Sequence, residues 1–281
     1  MRKQVIADIF VITCLRFFIK IAKAMTKQFS LLLITCLAIA SVSLAQQKTA
    51  GWLLDSMPAS LETDYALSAL PPHLRSAATV YLLDPKKGYY LARKGTNGFC
   101  TYVNRTEWER AEFVQDTYAA ISYDSVGSTI YLPVAFAVAA MRASGKYSPQ
   151  QIRDTIVQRV KAGIYKAPAR TGISYMLSPL LRTRLDEGIV NHIMPHYMFY
   201  APNLENVDVG GKWVSGGHQP FVINSGEVLD KAHSIFNFII LAAGESEKAQ
   251  IIADHQALLK RLADYKPILA LATNKTMEHG H

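Results

Sequence analysis

The densest concentration of groups able to bind something is residues 191–211, NHIMPHYMFYAPNLENVDVGG. His192 and His196 stand four apart, a spacing that puts both rings on one face of either a helix or a strand. Pro195 lies between them and favours the strand. Met194, Met198 and Tyr200 then share that face. Imidazole alone suits zinc, and imidazole with thioether suits copper. His218 and His233 extend the set, so the candidate metal ligands are His192, His196, His218 and His233, with zinc or copper as the candidate ion. The chain has no HExxH and no closed Cys/His set. The competing and favoured reading makes Met194, Met198, Phe199 and Tyr200 sheet core and leaves the two histidines as polar residues at a strand edge. A non-catalytic site would use the aromatic-rich surface of 196–213, with His196, Tyr200, Asn203 and Trp213 as candidate ligand-binding residues.

Cys100 is the candidate nucleophile, with a histidine as base and the Gly95-Thr96-Asn97-Gly98 turn offering backbone N–H groups to an oxyanion. Its apolar strand context, Phe99-Cys100, favours an inert thiol. Glu107, Glu109, Glu112 and Asp116 surround Trp108. An acid pair beside an indole fits glycoside chemistry, whereas interleaved Arg105 and Arg110 favour a solvated, ion-paired face. Gly210-Gly211 and Gly216-Gly217 are not a phosphate loop, since no GKS or GKT follows, and no serine has a GxSxG setting.

The elements that must position these groups start after a leader. Residues 30–45, SLLLITCLAIASVSLA, form an uncharged apolar run after Met25-Thr26-Lys27, closing on Ser43-Leu44-Ala45. Basic start, apolar run and small-residue site make a secretory signal at 25–45, with cleavage after Ala45. Residues 1–24 read as an upstream extension or an extended n-region. Their interspersed charges oppose a membrane span, so none remains after cleavage. Of 30 Lys and Arg, six lie in 1–45; of 22 Asp and Glu, one does. The remaining 24 basic and 21 acidic groups give no clustered basic face, and nucleic acid is not the expected partner. Of three cysteines only Cys100 survives processing, which excludes an internal disulfide.

Residues 46–70 read as a linker, 71–267 as one domain and 268–281 as a flexible tail. Strands are expected at 79–83, 89–93 and 99–103, joined as a meander by Asp84-Pro85-Lys86-Lys87-Gly88 and Asn97-Gly98. Further strands are expected at 173–179, 195–200, 220–223 and 235–242, and a charged loop at 180–190. Residues 132–143 read as a buried helix. A second helix starts at a capping box, Ser148 with Gln151, and Pro149 takes its first position. Residues 245–266 read as one amphipathic closing helix. The class is α+β: a mostly antiparallel sheet with two or three packed helices in a single domain.

GTNGF (95–99), RTEWE (105–109), ISYMLSP (173–179) and PHYMFYAPN (195–203) followed by VGGK (209–212) together resemble a family of exported bacterial proteins of uncharacterised function. That resemblance covers roughly residues 70–255 and implies export and a single domain, but no activity. The expectation is therefore a periplasmic or secreted binding or envelope-associated module, its partner a small molecule or an envelope component. An enzyme built on a His192/His196 metal or on Cys100 is the alternative.

Overall fold

The computed structural model describes residues 53–185, 188–210, 219–223 and 231–271, with the backbone alone for 231–233. All fall in one compact unit, 51–281. The leader, Trp213 and His218 lie outside the described residues, as does the side chain of His233.

The chain runs α1 (Ala59–Ser68), α2 (Pro72–Arg75), β1 (Thr79–Asp84), β2 (Gly88–Arg93), β3 (Cys100–Asn104), β4 (Tyr118–Tyr123), α3 (Ser125–Ala143) and α4 (Pro149–Lys161). It continues with β5 (Ile173–Met176), β6 (Leu181–Leu185), β7 (Gly188–His192), β8 (His196–Tyr200) and β9 (Phe221–Ile223). A 3-10 helix at Lys231–Phe236, β10 (Phe238–Ala242), α5 (Glu245–Asp254), α6 (Gln256–Tyr265) and a 3-10 turn at Pro267–Leu269 complete it. The ten strands form one sheet in the order β2-β1-β3-β4-β5-β8-β10-β9, and β6 pairs with both β4 and β7. Every pairing is antiparallel except β1 with β3. This is the expected α+β class, with six α-helices where two or three were expected.

Alternation along the strands divides the core in two. Thr101 and Val103 of β3, with Tyr118 and Ala120 of β4, point toward α1 and α6, where they meet Tyr65, Ala66 and Leu262. Tyr102 of β3, Ile121 and Tyr123 of β4, and Met198 and Tyr200 of β8 point toward α3, meeting Tyr131 and Leu132. Asp124 starts α3: its Oδ1 accepts the Gly127 N–H at 2.8 Å, an N-cap bond. Among the described residues α3 is the one helix long and apolar enough to cross a membrane. It packs against the sheet through Tyr131 and Leu132, against Trp108 and α4 through Val134 and Val138, and buries Arg142, as a core helix does.

Five sequence expectations give way to packing. The presumed linker contains α1, whose Tyr65 hydroxyl bonds the carbonyls of Tyr118 (3.0 Å) and Leu180 (2.9 Å), so this segment is core. The expected meander is not one: β3 returns on the far side of β1, parallel to it, and Asn97-Gly98 turns a crossover instead of a hairpin. The expected loop at 180–190 is the β6–β7 hairpin, where Gly188 at φ 118° takes a conformation that side chains disfavour. The single closing helix breaks at His255, φ −112° and ψ 19°, into α5 and α6. The tail begins in the core, where Leu269 is fully buried and Asn191 Nδ2 donates to the carbonyls of Ile268 (2.7 Å) and Ala270 (2.8 Å).

Candidate functional site

β8 is an interior strand, between β5 and β10, and its alternation turns His196, Met198 and Tyr200 inward. His196 is therefore not at an edge: it is 2% exposed, with Nδ1 2.7 Å from the Met194 carbonyl. Burial lowers its pKa to about 4, and the nearby His192 pushes in the same direction. His192 ends β7, with Nε2 2.7 Å from Thr183 Oγ1. Each ring thus commits one nitrogen inside the fold. Among the described residues no three His, Cys, Asp or Glu side chains converge as a metal site.

The other sequence candidates hold the fold together. The Tyr200 hydroxyl lies 2.8 Å from Asp124 Oδ1 and 2.9 Å from the Ile173 carbonyl, joining β8 to the start of α3 and to β5. Asn203 takes φ 64° in a turn, where its Oδ1 accepts from the Ser234 hydroxyl at 2.9 Å and its N–H donates to the Ser234 carbonyl at 2.8 Å. Cys100 is partly buried at the start of β3, opposite Tyr123, and packs in the α3-side core.

The chemistry gathers elsewhere, in a cavity of about 180 Å³ between the sheet and α3. β3 contributes Tyr102 and Asn104; β4 contributes Tyr123; α3 contributes Tyr131, Val134 and Ala135. Ile223, Phe236 and Phe238 close one side, and Thr106, Trp108 and Glu109 of the irregular 105–117 segment close another. Strand alternation explains the pattern, because Tyr102, Asn104 and Tyr123 are the α3-facing positions of neighbouring strands. Tyr123 stacks on Tyr131 with centroids 5.1 Å apart, and Tyr131 lies 4.9 Å from Phe238 and 5.9 Å from Phe236. Tyr131 is 6% exposed, and its hydroxyl has no hydrogen-bond partner among the described residues.

Glu109 is the carboxyl among this cavity's lining residues. Burial raises its pKa, opposed by the Trp108 N–H, which donates to Oε2 at 3.0 Å, and by Arg110. The carboxyl lies close enough to Tyr102 and Tyr123 that its charge adds to burial in holding their phenolic protons. Glu107, next along, is raised to about 7, by burial first and by Glu109 second. The acidic run is therefore two different things. Glu112 and Asp116 are solvated and ion-paired, but with distant residues, Glu112 meeting Arg184 at 2.7 Å and Asp116 meeting Lys266 at 3.7 Å, while the expected local partner Arg105 is buried. Glu107 and Glu109 turn inward. The sequence marked the acids and the indole but not the cavity, because its other walls come from β4, α3 and β10.

A second, larger cavity of about 1020 Å³ lies between residues 53–59 and the β1–β2 turn, over Glu62. Its wall begins at the first described residue, and Glu62 is committed to the backbone, accepting the Leu83 N–H at 2.9 Å.

Comparison of the chain with protein-family models, with curated proteins and with solved structures returned no match in any of the three.

Proposed function

We propose that the chain is an exported, periplasmic or secreted, binding module whose domain holds a small molecule in the Tyr102–Trp108–Tyr123–Tyr131 cavity. The observation that carries this reading is the convergence there of four aromatic rings with a partly buried carboxyl and a buried phenol that has no partner among the described residues. Cavities walled by aromatic rings with a few placed polar groups are the usual form of a small-ligand site. An unpaired buried hydroxyl costs about 1–3 kcal/mol. A ligand that bonds the Tyr131 hydroxyl recovers that cost, which links the defect to a binding role. Export follows from the 25–45 signal and from the resemblance to exported bacterial proteins.

The test is ligand-observed NMR on the purified protein with choline, phenol and glucose as probes, repeated on Ala135→Leu. Ala135 lines the cavity, and the larger side chain fills it. At least one probe is expected to bind the parent protein, and Ala135→Leu is expected to abolish that binding with its circular dichroism unchanged. Binding that survives Ala135→Leu, or no binding at all, removes the reading. N-terminal sequencing of the exported product tests the other half, with Gln46 expected as the first residue.

A further inference from the structure

We infer that the cavity is a site for a small alkylated ammonium cation, held by the faces of aromatic rings and by the Glu109 carboxylate. The inference rests on the binding reading above and sharpens it to a ligand class. Three features of the cavity point the same way. Its walls carry six aromatic side chains, Tyr102, Trp108, Tyr123, Tyr131, Phe236 and Phe238, around about 180 Å³. Aromatic faces carry negative quadrupole charge and attract a cation most strongly where water is excluded. The described residues lining the cavity include one carboxyl, Glu109, and no Lys, Arg or His, a set that repels anions and completes a cation site. The Tyr131 hydroxyl, buried and without a partner among the described residues, offers oxygen lone pairs but not a charge. A neutral sugar would hydrogen-bond the hydroxyl, Asn104 and the carboxyl alike, but would leave the carboxylate's negative charge unneutralised. Soft, methylated ammonium groups, weakly hydrated and round, fit both the rings and the acid.

The charge balance fixes a pH dependence. Glu109 is acted on by Arg110, which favours its ionised form, while Tyr102 and Tyr123 face it from β3 and β4 and Glu107 stands beside it as a like charge. Arg142 of α3 and Arg184 of β6 act on Glu107. Burial favours protonated Glu109, so a cation that needs the carboxylate releases a proton when it binds. Affinity therefore rises with pH through the titration of Glu109.

Isothermal titration calorimetry of the purified protein with choline and with its neutral isostere 3,3-dimethylbutan-1-ol tests this. Choline is expected to bind at least tenfold more tightly than the isostere at pH 8 and more weakly at pH 5. Glu109→Gln is expected to reduce choline affinity at least tenfold and to leave the isostere unchanged. Tyr131→Phe is expected to weaken choline several-fold while the melting temperature holds or rises; a merely structural hydroxyl would not separate the two. Equal binding of choline and isostere, or choline binding indifferent to Glu109→Gln, overturns the cation assignment. If phenol or glucose binds, is blocked by Ala135→Leu, and choline does not bind, the pocket stands and the cation assignment falls. If none binds, both fall.

Discussion

At the scale of single residues, this protein places ionisable groups where burial decides their state. Glu62 is 2% exposed, and burial raises its pKa to about 7 against the bond it accepts from the Leu83 N–H. A carboxyl whose folded pKa lies above its unfolded value stabilises the fold below the unfolded pKa, near 4.5. That contribution is lost as pH rises toward 7. The difference corresponds to at most about 3 kcal/mol at pH 8. Glu62→Gln keeps an acceptor for Leu83 and removes the charge. Urea denaturation is expected to find Glu62→Gln about 1–3 kcal/mol more stable than the parent at pH 8 and nearly equal at pH 4.5. Equal stability at pH 8 would mean that Glu62 ionises without penalty. Arg105 is fully buried too: its guanidinium donates to the Asp55 carbonyl and the Tyr118 hydroxyl (3.0 Å) and lies over the Tyr118 ring at 4.4 Å.

At the scale of elements, the junction of β4, α3, β5 and β8 is tightly constrained. Asp124 caps α3, accepts the Ile173 N–H at 3.1 Å and meets the Tyr200 hydroxyl. Gly127 lies under that hydroxyl so closely that a Cβ would overlap it, and a Cβ on Gly172 would overlap the Asp124 carboxylate. Gly127→Ala is expected to cost about 2–4 kcal/mol, from overpacking and a displaced bond to a charged group. In a Tyr200→Phe background the same change is expected to cost at least 1 kcal/mol less, because the hydroxyl it strikes is gone. Additive costs in that cycle would show that Gly127 is constrained by the Tyr200 ring carbon and Tyr123 Cβ, and not by the hydroxyl. The capping box of α4 is complete, Ser148 Oγ accepting from the Gln151 N–H at 3.2 Å and Gln151 Oε1 from the Ser148 N–H at 2.8 Å. Ser148→Ala is expected to lower stability by about 1 kcal/mol in thermal or urea denaturation. That box was readable in the sequence because every part of it is local, and β1, β2, β3 and β8 were readable for the same reason. Elements whose identity depends on distant partners were not. α1 carries no strong amphipathic stripe of its own and is fixed by Tyr65 reaching β4 and the start of β6. β6 pairs with β4 across more than fifty residues, and no local signal marks that pairing. The cavity shares that character, since Trp108 and Glu109 stood out in the sequence while Tyr131 did not.

At the scale of the whole molecule, the buried carboxyls and the buried histidine pull stability in opposite directions with pH. Glu62 and Glu107, each raised to about 7, favour the fold more as pH falls from 7 to 4.5, and Glu109 adds to them in direction. His196 is held neutral, its pKa lowered to about 4. A histidine depressed on folding gives its full contribution above 6.5, and that contribution is lost as pH falls toward 4, about 3 kcal/mol in all. His192 and His255 are also lowered by burial and act with it. The carboxyls therefore oppose alkalinity and the histidines oppose acid. With two carboxyls near 7 set against one histidine near 4, the carboxyls outweigh the histidine between pH 4.5 and 6.5, so stability falls as pH rises through that range. Urea midpoints at pH 4.5, 6 and 7.5 are expected to decrease in that order. His196→Gln, whose amide can still donate to the Met194 carbonyl, removes the opposing group and is expected to steepen the fall. Glu62→Gln is expected to make it shallower. A profile unchanged by both variants would mean that neither group changes its proton affinity on folding, although Glu62 on α1 and His196 on β8 are both buried.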